Sequence, residues 1–213
     1  PFATPPSLIN RTLNLLFASP RRLDIWLHFL SAGIGMFVYL RWRRVGVGPA
    51  LLGALAFEFS VHLVGMVAFG HNNKLMTASY LPWVLWATER LLTTPGARRG
   101  ATLSLLLGLQ LLTGHLQMAY YTWLAVGVCA LWWTVARLSR SERETWTGTF
   151  RALGLLALAL GLGLALSGVR NVPILNYERY SVRGGPGGLE SGLAGKWSLP
   201  PVEMLTFVLP RLF

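Results

Sequence analysis

The chain has 213 residues, 53% hydrophobic and 13% charged, with 19 basic against 8 acidic residues and a formal net charge of +11. Long uncharged runs within that composition exclude a water-soluble domain and predict an integral membrane protein. A basic balance also fits nucleic-acid binding, but the arginines sit at the ends of apolar segments, as topogenic and headgroup-contacting charges do, so no nucleic-acid partner is expected.

The chain begins at Pro1 without Met and stops at Phe213, and it reads as a piece of a longer protein. Residues 1–22 are Pro-rich and then amphipathic, too short and too polar to span. They predict a helix lying in the outer interface. Asn10-Arg11-Thr12 matches a glycosylation sequon, weak evidence by itself.

The fold class expected is all-α, a polytopic bundle over residues 23–168 with about six membrane segments. Span one, Leu23–Leu40, carries Asp24 and His28 one turn apart and ends in Arg41-Trp42-Arg43-Arg44. Span two, Val47–Phe69, carries Glu58 and His62 at i, i+4, a spacing that lets them pair across one helical turn. Gly70-His71-Asn72-Asn73-Lys74 follows. Span three, Leu75–Leu92, contains Pro82, which is expected to kink it.

No Asp, Glu, Lys or Arg occurs from Ala101 to Ala136. One helix over that stretch would be about 54 Å long at 1.5 Å per residue, against a hydrocarbon thickness of about 30 Å. Two spans, Ala101–Thr113 and Leu116–Arg137, meeting at Gly114-His115 resolve the mismatch. The polar turn must then reach a surface or a wet cavity. The aromatics of the second of these, Tyr120, Tyr121, Trp123, Trp132 and Trp133, fit an interfacial belt and packing. Cys129 lies within it, the only cysteine, so no disulfide framework exists.

Span six, Thr149–Gly168, is rich in Leu, Ala and Gly, and Gly154, Gly161 and Gly163 suit close helix packing. Residues 169–213 are expected to form an extracytoplasmic loop, with Gly184-Gly185-Pro186-Gly187-Gly188 as a flexible stretch and Pro200-Pro201 opening a further helix.

Basic residues alternate between loops. Arg41, Arg43 and Arg44, then Arg90, Arg98 and Arg99, then Arg137, Arg140, Arg143 and Arg151 flank alternate connections, whereas the others hold only Lys74 or nothing. The positive-inside rule puts the arginine-rich set in the cytoplasm. The two Gly-His turns and the C-terminal tail then face outside, and Arg21 and Arg22 sit outside against the rule, which asks for a local anion. All four histidines fall in the outer half. Ionisable groups at membrane depth are expensive and mark candidate functional positions. No His-x-x-His or His-Glu-x-x-His spacing, catalytic-triad pattern or phosphate loop is present, so the spacing supports no metal site.

Gly70-His71, Leu81-Pro82-Trp83-Val84-Leu85-Trp86-Ala87-Thr88-Glu89-Arg90-Leu91 and Gly114-His115-Leu116-Gln117-Met118-Ala119-Tyr120-Tyr121 resemble the YfhO family of bacterial membrane proteins, of the GT-C class of polytopic glycosyltransferases. Leu199-Pro200-Pro201-Val202-Glu203-Met204-Leu205 and Leu209-Pro210-Arg211-Leu212-Phe213 are similar to a later extracytoplasmic segment of that family. The resemblance implies a multi-pass protein of the bacterial inner membrane that moves a sugar from a polyprenyl-phosphate donor to an acceptor on the outer face. It implies a lipid-linked sugar donor and membrane lipids as partners. His71, Lys74, His115, Gln117, Glu178 and Arg179 would line the donor head site. The acidic catalytic residue of such enzymes usually lies upstream of the stretch present here, so the catalytic residue is unassigned. Basic residues or a divalent metal would stabilise the leaving lipid phosphate. Two other classes fit the same residues: a non-catalytic subunit of a membrane complex, packed through the Trp-rich and Gly-rich spans, and a transporter or flippase.

Overall fold

The computed structural model describes residues 21–139, 143–178 and 180, and within the helices all side chains except those of residues 21, 22, 143–145 and 178. The interfacial segment expected over 1–22, the sequon, the glycine-rich stretch and the helix start at Pro200-Pro201 lie outside this description. The chain divides into two compact units, Pro1–Gly168 and Val169–Phe213.

The described residues are all-α, with no strand among them. The helices are α1 (Arg21–Trp42), α2 (Val47–Glu58), α3 (Val61–Ala68), α4 (Asn72–Ala78), α5 (Leu81–Thr93), α6 (Ala97–Leu112), α7 (Leu116–Leu138) and α8 (Arg143–Glu178). Among the described residues, four stretches are long and apolar enough to cross a membrane: Leu23–Trp42, Val47–Ala68, Leu116–Leu138 and Trp146–Tyr177. At 16 residues, α6 rises only about 24 Å. Large apolar side chains point outward along these helices, Trp132 at 75% exposure, Leu52 at 70% and Leu131 at 65%. Such faces belong against lipid rather than water.

Two expected helices are interrupted. Span two breaks at Phe59-Ser60, where Ser60 caps α3 by accepting from the Leu63 N–H at 3.4 Å. Glu58 therefore ends one helix and His62 starts the next, and the expected pairing across one continuous turn does not form. The Glu58 carboxylate instead lies against Gly33 of α1, where a Cβ would overlap it. Span three is two helices, α4 and α5, which meet at Ser79-Tyr80. Pro82 sits in the first turn of α5, where its missing N–H costs nothing. Ser79 and Tyr80 keep right-handed helical dihedrals, and the Tyr80 N–H turns to the Thr77 carbonyl, so it is the regular hydrogen-bond ladder that is interrupted ahead of the proline.

Helix α5 is central, packed against α1, α6 and α7, while α4 touches α1, α3, α6 and α7. Trp83 of α5 fits against Gly35 of α1 and donates its indole N–H to the Ser31 carbonyl at 2.9 Å. One core joins Val84, Leu91, Leu103, Leu107, Val126 and Leu156. A second joins Phe29, Leu63, Met66 and Leu75 beneath the first Gly-His turn.

Between lipid-embedded helices apolar burial provides little drive, and close van der Waals contact must provide it. Helices α6 and α8 achieve this through small buried residues at four-residue spacing, Ser104 and Gly108 on one and Ala159, Gly163 and Ser167 on the other, with Gly163 set against Ser104 and Gly108. Of the three glycines expected to pack, only Gly163 does so, for nothing lies within 4 Å of a Cβ at Gly154 or Gly161. Helix α8 also runs on through Pro173 to Glu178, where a loop was expected from residue 169.

Candidate functional site

Both Gly-His turns use the same local device. Gly70 and Gly114 follow the ends of α3 and α6 with φ of +75° and +88°, the left-handed geometry in which glycine has no Cβ penalty. At the first turn, the His71 N–H reaches the Met66 carbonyl and the Gly70 N–H reaches that of Val67, which closes the helix end in a Schellman pattern. The histidine then caps the following helix, His71 for α4 and His115 for α7. His115 does so with its side chain, Nδ1 accepting the Met118 N–H at 3.3 Å. That bond requires an unprotonated Nδ1, so neutral His115 carries its proton on Nε2 and has a donor left over.

The structure brings the two turns to one end of the bundle. A cavity of about 670 Å³ is lined by His62, His71, Lys74, Gln117 and Tyr121, with Val61, Gly65, Met66, Phe69 and Met118 as apolar wall. Gln117 is held by donating its amide to the Tyr121 hydroxyl at 2.9 Å. Lys74 has no ion-pair partner among the described residues. His115 lies close enough to feel Lys74 and His71. Burial, then the charge of Lys74, and to a smaller extent His71, hold its pKa below the ordinary 6.5, against a backbone hydrogen bond that raises it.

A buried polar network fastens this end from below. Gln110 of α6 is fully buried and donates its amide to the Thr77 carbonyl at 3.1 Å and to the Thr122 hydroxyl at 2.8 Å. The Thr77 and Thr113 hydroxyls are hydrogen-bonded to each other. One amide thus ties α4, α6 and α7 together under both histidine turns.

On the other side of α3, an apolar cleft of about 470 Å³ is lined by Ile25, Trp26, Phe29, Phe59, Val64, Val67 and Ala68. His62, Gly65, Met66 and Phe69 face the polar cavity, and Val64, Val67 and Ala68 face this cleft, so the eight-residue α3 separates them.

Of the six residues expected to line a head site, His71, Lys74 and Gln117 share the cavity and His115 stands beside it. The Glu178 side chain and Arg179 lie outside the described residues, as do the side chains of Arg21 and Arg22. His62 and Tyr121 were not among the expected site residues. Each is legible in retrospect, His62 from sharing a helix face with Met66 and Phe69, and Tyr121 from its i+4 spacing to Gln117. Asp24 and His28 are buried at 2% and 6% exposure. His28 donates to the Asp24 backbone carbonyl at 2.7 Å, a local bond within α1.

No carboxylate lines the cavity, and no three His, Cys, Asp or Glu side chains gather among the described residues. Compared with family models, with curated proteins and with solved structures, the chain has no match.

Proposed function

We propose that the glycine-histidine end binds the phosphate-sugar headgroup of a polyprenyl-linked donor, and that the protein serves glycosyl transfer on the outer face of the bacterial inner membrane, as its YfhO-like phrases imply. The observation that carries the reading is the single cavity shared by His62, His71, Lys74, Gln117 and Tyr121 beside an apolar cleft. Lys74 provides a point charge for phosphate. The Nε2–H of neutral His115 and the Gln117 amide are suited to sugar hydroxyls, and the cleft across α3 suits a prenyl chain. The proposal includes about six crossings, α5 and α6 among them, with the arginine end in the cytoplasm.

The residues named are assigned to binding. An acceptor hydroxyl needs a carboxylate base, and the cavity has none among the described residues, so the catalytic residue stays unassigned. Among the described residues no three His, Cys, Asp or Glu side chains gather, and Lys74 is the lysine that lines the cavity.

The test is retention of polyprenyl-phosphate sugar by the chain in nanodiscs. Lys74→Gln and His71→Ala should each weaken retention severalfold with helical content unchanged. Wild-type retention in both would overturn the assignment. A transporter or flippase is the second reading, favoured by the break at Phe59-Ser60 inside a helix otherwise long enough to cross. Movement of a labelled polyprenyl lipid between leaflets, without sugar transfer, would favour it.

A further inference from the structure

We propose a second ligand site at the arginine end, a pocket for the phosphate of an anionic phospholipid headgroup, independent of the reading above. A cavity of about 410 Å³ is lined by Trp86, Arg90, Gly96, Arg98, Arg99 and Thr102. The rise along α6 puts it about 24 Å from the Gly114-His115 turn.

Three guanidinium groups share this pocket and no acid lines it. The neighbouring carboxylate, Glu89, is already taken. It accepts from Arg43 at 3.2 Å and from the Tyr39 hydroxyl at 3.0 Å, and Arg43–Glu89 is the only ion pair among the described residues. Arg90, Arg98 and Arg99 are therefore uncompensated, and like charges gathered in a cleft repel unless an anion joins them.

The backbone adds to the same field. Helix α6 starts at the pocket with Gly96 as N-cap, no side-chain cap and no acid in its first turn. Its dipole is positive there and its first amide N–H groups point at the cavity end, so two arginines in that turn are unfavourable until an anion arrives. The pocket is also stiffened. The Arg90 guanidinium lies 4.6 Å from the Trp86 ring centroid and 5.8 Å from that of Trp42, and Arg99 Nη1 donates to the Thr94 carbonyl at 2.7 Å.

A lipid rather than free phosphate is the occupant argued for. Leu105 follows Thr102 by three residues, on the same face of α6, and is 54% exposed. An acyl chain can continue down that face from a headgroup held in the pocket. Basic pockets between membrane helices are suited to such headgroups.

The experiment uses the full chain, delipidated in neutral detergent, with thermal unfolding read by tryptophan fluorescence. Phosphatidylglycerol should raise the midpoint well above phosphatidylcholine. Arg98→Gln, an exposed position that leaves packing untouched, should weaken the phosphatidylglycerol response about fivefold in half-saturating concentration. Arg44→Gln, an arginine at the same end but outside the pocket, should leave it intact. Equal responses to the two lipids, or an equal loss from Arg44→Gln, would overturn the site in favour of diffuse surface charge. If millimolar inorganic phosphate alone gives the full, Arg98-dependent response, the phosphate pocket stands and the lipid source falls. Failure at this pocket leaves retention of polyprenyl-phosphate sugar by the Lys74 and His71 variants untouched, so the two proposals fail separately.

Discussion

Gly163 of α8 lies so close to α6 that a Cβ on it would stand 2.8 Å from the Cβ of Leu107, and Gly108 answers with a Cβ position 3.0 Å from the Cβ of Leu166. The two helices meet where neither has a side chain in the way. Gly163→Leu should force them apart at a cost of about 1–3 kcal/mol. Gly161→Ala, two residues away at an open position, should be neutral or gain about 0.5–1 kcal/mol from helix propensity. Unfolding midpoints in detergent check the contrast. Equal effects at both positions would mean that the α6–α8 contact does not hold.

The turn glycines make a second contrast. Gly70 and Gly114 have positive φ with room for a methyl at Gly70, so Gly70→Ala isolates the backbone term. It should cost roughly 1–2 kcal/mol. Arg44 ends α1 in the same geometry at φ +62°, with the Val45 N–H to the Leu40 carbonyl and its own N–H to that of Arg41. Arg44→Gly relieves the same strain while loosening the unfolded chain, so the net gain should be below about 1 kcal/mol. A loss of stability from Arg44→Gly would show that its side chain matters more than its backbone.

Gln110 gives a third. Its amide is the only side chain that bonds both the Thr77 carbonyl and the Thr122 hydroxyl among the described residues. Gln110→Leu should cost about 1 kcal/mol, the scale of interhelical hydrogen bonds in membranes. Gln110→Glu should cost more, since it removes the donor and buries a carboxyl. Because α4 and α7 both begin at histidine turns, either change should also loosen the cavity, read as faster hydrogen exchange at Lys74 and Met118. Stability loss with no change at those amides would separate the network from the site.

The helices were legible because apolar runs, arginine clusters and glycine turns are local signals. The break between Glu58 and His62 was not, because Phe59-Ser60 carries no proline or glycine. Only the Ser60 cap, with a helix restarting after it, marks the interruption. Pro82 was visible as a disruption, but its place in a first turn was not: first-turn and interior proline look alike until the preceding helix end is known. The grouping of His71, Lys74, His115 and Gln117 could be suspected from two like turns. The Gln110 network could not, since an amide inside an apolar run names no partners. Likewise Glu89 gives no hint in sequence that Tyr39 and Arg43 converge on it from fifty and forty-six residues away.

His115 makes the site sensitive to pH, and the sign follows from its depressed pKa. Burial, Lys74 and His71 hold the folded-state value below the ordinary 6.5 of an unfolded chain. Between those two values the unfolded chain holds a proton that the folded one refuses, so stability rises with pH there. The contribution is fully present above 6.5 and is lost as pH falls through the folded value. Protonation also removes the Nδ1 acceptor that caps α7. His115→Asn keeps a capping side chain without a titrating group. The wild type should therefore lose more stability than His115→Asn between about pH 7.5 and about pH 5.5, the interval that brackets an ordinary histidine. A phosphate held by Lys74 would favour the imidazolium and offset the loss, so the lipid-loaded wild type should depend on pH less than the free protein. Identical pH profiles for wild type and His115→Asn would mean that His115 is exposed and unperturbed, and that the turn does not have the buried geometry described above.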